Sequence, residues 1–465
     1  MSGAAHYDLV VLGGGPGGYT AAFRAADLGL SVALVERYAA LGGVCLNVGC
    51  IPSKMLLHSA AVIREASRLH GQGIVFDAPA IDLAQLRAAK GETIDRLGGG
   101  LAAMARRRGV TRLTGHAAFH SPQRIDVETE AETVALTFDK AVVAVGSRPV
   151  MPGFLPDSVR VLDSTGALAL AEIPESLLVI GGGVIGLEMT SIFSALGSRV
   201  SVVERDANML PGCDPDLVEP LTAQLTAHGV SLRSGHQVSA MRDNGAGLEV
   251  ELTGPEGSVT EQYTHALCAV GRRPNSDTIA ARNAGLETDA GGFIPTDAQQ
   301  RTAVGNIFAI GDVTGQPMLA HRASHQGKVA AEVAAGLAVA DESQVMPSVV
   351  YTEPEVAWTG LTETAAANSG RRVEVAKFPW QASGRAQAVG ATAGLTKLVV
   401  CADTGVLLGA GIVGANAGEL IGEACLAIET GLEAADLSLV VHPHPTLAES
   451  LPLAAAIHDG SITEI

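Results

Sequence analysis

The sequence predicts an α/β protein with two Rossmann-like dinucleotide-binding domains and a separate C-terminal α/β domain. Three observations carry this. A glycine fingerprint of the form G-x-G-x-x-G occurs twice, each time between an aliphatic strand and a helix. Each copy is followed by a second strand that ends in glutamate. From Ser348 onward the chain changes to valine-rich strands that enclose helices. At 465 residues it is too long for one core. Its 47% hydrophobic content, 55 glycines and only 3% aromatics suit tight packing of small aliphatic side chains.

Residues 7 to 12 read as a buried strand and run directly into Gly13, Gly15 and Gly18. The first glycine makes a tight turn, the second admits a pyrophosphate, and the third lets helix pack on strand. A helix from Tyr19 to Leu28 follows, then a strand from Ser31 that ends in Glu36, eighteen residues past Gly18. A carboxylate there can accept hydrogen bonds from a ribose diol. The second copy falls on Gly181, Gly183 and Gly186, between strand Leu177 to Ile180 and helix Ile185 to Leu196. Its strand ends in Glu204, again eighteen residues on, which favours NAD over NADP because a carboxylate repels a 2′-phosphate. Arg205 beside it tempers that preference.

Between the two copies lies the segment Gly42 to Lys54, with four residues between Cys45 and Cys50. Pro52 suits a first helical turn, and apolar residues repeat at helical spacing from Met55. The sequence therefore puts Cys50 at a helix start, where the dipole favours a thiolate, and Cys45 in the loop ahead of it. A dithiol so placed can exchange with an outside disulfide.

Residues 55 to 109 read as helices with breaks around Gly71–Gly73 and Gly98–Gly100, and 110 to 145 as short strands. Arg148-Pro149 and Pro152-Gly153 mark a domain boundary. Residues 230 to 270 are strand-rich, and a strand near Ile307 ends in Gly311-Asp312. Asp312 suits either a polyol ligand or a cap for the segment after it. Beyond Ser348, strands at Ser348 to Tyr351, Leu395 to Val400 and Val406 to Val413 enclose helices at Ala417 to Thr430 and Ala434 to Leu439. There His444 precedes a helix and Glu449 follows five residues later, a spacing that can hold a base against an acid.

A net charge of −18, from 31 basic and 49 acidic residues, disfavours nucleic acid or an anionic membrane as partner. The first twenty residues contain Asp8 and no basic n-region, so they read as a strand and not a signal peptide. No run of about eighteen apolar residues occurs, which implies no membrane span. Cys213, Cys268, Cys401 and Cys425 have no metal-ligand spacing and read as small core residues, a cytoplasmic pattern with no metal site.

Taken together, GGVCLNVGCIPSK, GGGVIGLE, TAVGNIFAIGDV, GQPMLAH, YTEPEVAWTGLT, FPWQASGRA and HPHPTLAES make the whole chain resemble the class I flavoprotein disulfide reductases. The FPW stretch and the tail from Gly460 to Thr463 point to their lipoamide branch. The resemblance implies FAD at the first fingerprint, with Glu36 on its ribose, Asp312 on its ribityl chain, and Ala117, Ser147 and Ala320 lining it. Lys54, paired with Glu188, would lie near the flavin. Val238 and the turn Gly271-Arg272 would help enclose NAD. Cys50 would be the flavin-side thiol and Cys45 the thiol that exchanges with substrate. His444, oriented by Glu449, would be the acid–base, supplied across a homodimer. The implied activity is oxidation of dihydrolipoamide on the lipoyl domains of a 2-oxo acid dehydrogenase or glycine-cleavage complex. Electrons would pass from the dithiol by way of the flavin to NAD⁺.

The same resemblance divides the chain into an FAD-binding part (1–150), an NAD-binding domain (151–274), a central segment of the FAD-binding part (275–345) and an interface domain (346–465). Pro443, where alanine is usual, and Gln326, where glutamate is common, depart from the pattern. Rival readings are a glutathione reductase, disfavoured by Glu204, and a mercuric reductase, disfavoured because no cysteine follows Cys425. A non-catalytic flavoprotein subunit would have no need of the dithiol or the base.

Overall fold

Leu9, Val10, Val11 and Leu12 are all fully buried, as a strand covered on both faces of a parallel sheet requires. The computed structural model describes residues 4–463, and in it strand Ala5–Leu12 lies between Val32–Glu36 and Thr133–Val143, parallel to both. Thr111–Thr114 extends the sheet on one side. Thr133–Val143 has two kinds of partner. Its first half joins Arg124–Glu128 and His116–Ser121 in an antiparallel meander, and its last three residues run parallel to Ile307–Ala309. The ends of Ala5–Leu12, Thr133–Val143 and Ile307–Ala309 therefore converge. Gly13, Ser147 and Asp312, distant in sequence, leave the sheet on the same edge, which is where open α/β sheets bind ligands.

The second sheet is fully parallel, in the order Ser231–Ser234, Arg199–Glu204, Ser176–Ile180, His265–Cys268, Val161–Leu162. A meander of Gln237–Asp243, Leu248–Gly254 and Gly257–Tyr263 closes one face through Val238, Met241 and Leu252, which pack on Leu178, Ile180 and Val203. The chain passes between the two sheets at Ser147–Pro149 and Arg272–Pro274, and these crossings pair as an antiparallel ribbon. The third sheet is antiparallel, in the order Ser348–Val350, Glu355–Gly360, Leu407–Gly414, Leu395–Cys401, Val373–Pro379. Helices Ala417–Glu429 and Ser450–Asp459 pack on it around Trp380 and Phe378.

Three expectations change. Leu83–Arg107 is one helix that runs straight through Gly98–Gly100. The Asp82 carboxylate caps its start by accepting from the Gln85 N–H, and a Cβ at any of the three glycines would meet open space, so they cost only local propensity. Strands Glu355–Gly360 and Val373–Pro379 are additional, completing a sheet that the valine runs only half reveal. Of the four scattered cysteines only Cys268 is fully buried; Cys213, Cys401 and Cys425 are half-buried.

The helical stretch Gly43–Gln72 is long and apolar enough by composition to cross a bilayer. Part of its apolar face is covered, because Leu56 and Leu57 are buried with Leu187 and Ile192 of helix Val184–Leu196. On the same stretch Lys54 bonds Glu188, and buried Arg64 donates to the Ser191 carbonyl and Ser194 Oγ. This is how a core helix is built.

Candidate active site

The two fingerprint loops are near copies in their hydrogen bonding. Gly13 and Gly181 adopt φ of 103° and 109° and donate to the Val35 and Val203 carbonyls, each at 2.8 Å. A Cβ on Gly18 would lie 1.8 Å from the Gly13 carbonyl oxygen, and one on Gly186 1.9 Å from that of Gly181, so neither position admits another residue. Gly15 and Gly183 instead face open space, with a Cβ meeting nothing closer than 3.9 Å at Gly15 and nothing within 4 Å at Gly183. Both loops thus present bare backbone at a helix N-terminus, a cradle that fits a diphosphate. Glu36 accepts from the Gly14 N–H at 2.7 Å and the Tyr38 N–H at 3.1 Å. Glu204 repeats this with Gly182 at 2.7 Å and Asp206 at 2.8 Å. Both carboxylates are thereby pinned where a ribose would pass, and Arg205 turns to solvent beside Asp206.

The dithiol segment is packed on the first of these loops. Gly42 and Gly43 adopt left-handed φ of 109° and 57°, which lets the chain double back, and a Cβ on Gly43 would come 2.7 Å from the Gly15 Cα. Cys45 lies in a short helix, Gly43–Val48, and not in a loop; Gly49 ends that turn and Cys50 opens helix Cys50–Arg68. The first helical bond of the long helix is donated by Ser53 N–H to the Gly49 carbonyl, so the N–H groups before it remain for Cys50. Cys45 and Cys50 are unbonded thiols in this structure.

A hydrogen bond from the Cys45 thiol pulls Cys50 down to about 7, with the Lys54 ammonium acting in the same direction against burial and Glu188. Donating that bond, together with burial, pushes Cys45 far up. Lys54 Nζ sits 2.9 Å from both Glu188 oxygens. Tyr19 is close enough that both cysteines, after burial, raise its phenol.

At the same edge of the sheet, Ser147 Oγ donates to Asp312 at 2.6 Å and accepts from Arg272 Nε at 2.7 Å, while Arg272 Nη2 donates to the Ser147 carbonyl. Asp312 is not a cap: the next long helix, Ala320–Ala334, starts only after Leu319. Ala320 opens that helix, which packs against Pro16–Asp27 so closely that a Cβ on Gly327 would fall 2.5 Å from the Gly17 carbonyl oxygen. Buried Gln326 accepts from the Gly311 N–H at 2.8 Å, a role its amide oxygen fills without a charge. Ala117 lies just past the Gly115 N–H that bonds the Glu36 carbonyl. Val238 follows the His236 N–H that bonds the Glu204 carbonyl, and its side chain is buried in the meander. Gly271, at φ 132°, accepts from the Val150 N–H.

In the third sheet's layer, His444 Nδ1 meets Glu449 Oε1 at 2.8 Å, and Glu449 Oε2 accepts from the Thr446 N–H at 2.7 Å. Partial burial works against ionisation of Glu449, but these two donors hold it below the usual carboxylate range. With Nδ1–H donated, Nε2 is left as the basic nitrogen. The His444 side chain is 79% exposed and, among the described residues, meets Glu449 and not the cysteine pair. His442 is the satisfied histidine of the motif, held between the Val440 carbonyl and Glu423.

Sequence reasoning missed Tyr19, which directly follows Gly18, and Tyr351, quoted within YTEPEVAWTGLT without a role. Their positions near Cys50 and Lys54 depend on long-range packing that no local spacing records.

A dithiol lying against one of two dinucleotide cradles, with a carboxylate-held histidine elsewhere, defines an oxidoreductase that couples a disulfide to a nucleotide. The chain belongs to the pyridine nucleotide-disulphide oxidoreductase family, which matches residues 7–327, and the dimerisation domain of that family matches residues 346–455. The latter supports a homodimer. The chain is 48% identical to the dihydrolipoyl dehydrogenase of Vibrio parahaemolyticus, across 100% of this chain and 98% of that protein. It is 49% identical, with the same coverage, to the dihydrolipoyl dehydrogenase of Haemophilus influenzae. Among solved structures it resembles LpdA of Mycobacterium tuberculosis, with a TM-score of 0.88 and 27% identity over 97% of this chain and 99% of that one. The HOCl-induced flavoprotein disulfide reductase RclA of Escherichia coli matches with a TM-score of 0.85 at 27% identity, over 96% of this chain and 98% of that one.

Proposed function

We propose that the chain is a dihydrolipoyl dehydrogenase, oxidising protein-bound dihydrolipoamide to lipoamide and reducing NAD⁺. The observation that carries this is its 48% identity, over the full length, to an enzyme of that name, with the dithiol and the His444–Glu449 pair both in place. In this reading His444 Nε2 takes a proton from one substrate thiol, and the resulting thiolate attacks Cys45 Sγ of the Cys45–Cys50 disulfide. The Cys45–Cys50 bond breaks and Cys50 leaves as a thiolate, which the nearby Lys54 ammonium favours. The second substrate sulfur then attacks the first, displacing Cys45 as a thiol or thiolate and closing lipoamide. The substrate has lost two electrons and two protons, and the cysteine pair holds the electrons.

FAD, held by the Gly13–Gly18 loop, Glu36 and Asp312, supplies the two-electron chemistry that connects the dithiol to NAD⁺. NAD is held by the Gly181–Gly186 loop and Glu204. The exposed His444 reaches the cysteines of the other subunit across the homodimer. The division at 150, 274 and 345 belongs to the same reading, and the paired crossings Ser147–Pro149 and Arg272–Pro274 support its first two limits. The lipoyl domains of a 2-oxo acid dehydrogenase or glycine-cleavage complex are the partners, in the cytoplasm. NADH formation from dihydrolipoamide and NAD⁺, compared with oxidised glutathione and NADPH, tests this. Turnover with the first pair alone is expected, and turnover with the second alone would assign a glutathione reductase.

A further inference from the structure

Tyr351 stands where the C-terminal sheet meets the dithiol helix, directly after the edge strand Ser348–Val350. Its backbone N–H donates to Glu188 Oε1 at 3.1 Å. Lys54 Nζ lies 4.5 Å from the centroid of its ring. One residue therefore grips both members of an ion pair whose own residues come from two helices. The two members need different help. Glu188 is 4% exposed and fixed by its surroundings, whereas the Lys54 side chain is 33% exposed on a flexible four-carbon stem. The ring face gives the ammonium a further partner besides the two carboxylate oxygens, because the aromatic quadrupole attracts a cation.

We propose that Tyr351 is a positioning residue for Lys54, so that docking of the C-terminal sheet sets how strongly the ammonium favours a thiolate at Cys50. This rests on the reading of Cys50 as the leaving thiolate. Cys50 is faced by Cys45, Lys54 and Glu188, with Tyr19 and Arg272 further out. The Tyr351 ring is faced by Lys54, Glu355, Glu188 and Glu419. Of these acids, Glu355 is tied to the Gly418 N–H at 2.9 Å, and burial holds its carboxyl above the usual range.

Substitution of the side chain leaves the backbone N–H on Glu188, so the ring can be tested alone. The readout is the pH titration of the long-wavelength thiolate-to-flavin absorption band in NADH-reduced holoenzyme. Tyr351→Phe keeps the ring face and should keep the wild-type midpoint. Tyr351→Leu and Tyr351→Gln should raise it by about half a unit, roughly a three-fold loss of thiolate below the midpoint. At 36% exposure the position tolerates both, and either one carries the test. A midpoint unchanged in Leu and Gln variants, even with a lower melting temperature, would mark a purely structural role and overturn the proposal. A shift in Tyr351→Phe equal to that in Tyr351→Leu would overturn it as well, since the hydroxyl and not the ring would then matter. Wild-type turnover with dihydrolipoamide separates these outcomes from failure of the underlying functional reading.

Discussion

Lys54 and Glu188 are 134 residues apart, yet Lys54 Nζ lies 2.9 Å from both carboxylate oxygens of Glu188. Lys54 comes from the dithiol helix and Glu188 from the helix of the second fingerprint, so the pair ties the exchange site to the nucleotide site. Glu188 alone would oppose a thiolate, and Lys54 offsets it. The charge balance at Cys50 therefore depends on two motifs being packed together.

The acid–base role of His444 predicts that His444→Gln lowers turnover with dihydrolipoamide by roughly 10²- to 10⁴-fold while FAD stays bound. Glu449→Ala should have a smaller effect of the same kind, since it removes orientation and leaves the imidazole. Steady-state kcat, with the flavin spectrum as control, decides it. Near-normal turnover in His444→Gln would remove His444 from the site.

The two cradles can be broken separately. Gly18→Ala drives a methyl onto the Gly13 carbonyl and should yield protein without FAD. Gly186→Ala does the same at Gly181 and should keep FAD, accept electrons from dihydrolipoamide, and fail to bind NAD⁺. Flavin content and NADH binding by fluorescence measure both. Loss of FAD in Gly186→Ala alone would exchange the roles of the two loops.

Glu204 should set cofactor choice. The enzyme should prefer NAD over NADP in kcat/KM, and Glu204→Ala should narrow that preference about ten-fold or more, because a pinned carboxylate no longer meets the 2′-phosphate. An unchanged ratio would show that discrimination lies elsewhere.

Stability should fall in acid through a buried charge cluster. Lys397, 1% exposed, bonds Asp214 at 2.8 Å, Asp216 at 2.9 Å and Glu363 at 2.8 Å, joining the third sheet to helix Pro215–Ala227. Burial pushes Asp214 up, but Lys397 and the donors at Glu363 and Thr364 outweigh it and hold the carboxyl at about 2. A lowered pKa contributes stability above the ordinary carboxylate value, and that contribution is lost as pH falls from about 4 towards 2. Lys397→Met leaves the nearly buried Asp214 without a cationic partner, while Lys377 still reaches Asp216 and Glu363, and should cost about 3 kcal/mol at neutral pH. It should also flatten the acid side of the melting profile, which calorimetry across that range would show.

Much of the site is legible in the sequence because its chemistry is local. Each fingerprint specifies its own turn, and each glutamate reaches back to its own loop, so Gly13, Glu36, Gly181 and Glu204 follow from spacing. The same holds for His444 and Glu449 on one loop. What spacing does not record is pairing between distant elements: the Ser147–Asp312 bond, the two extra strands of the third sheet, and both tyrosines. Gly98–Gly100 misleads for the opposite reason, since glycine is only a weak helix breaker when the flanking turns are strong. Cys45 differs because two left-handed glycines start a short helix that no propensity would suggest.

The central claim is that electrons from the substrate enter through the Cys45–Cys50 pair, and one measurement addresses it directly. Oxidised holoenzyme is mixed anaerobically with dihydrolipoamide, desalted, treated briefly with iodoacetamide and mapped by peptide, while a second portion receives NAD⁺. The account predicts label mainly on Cys45, because in the proposed reading Cys45 faces substrate and the flavin covers Cys50, and NADH formation stoichiometric with subunits in the second portion. NADH formed while both cysteines stay closed to the reagent would show that electrons bypass the pair, and would contradict the account.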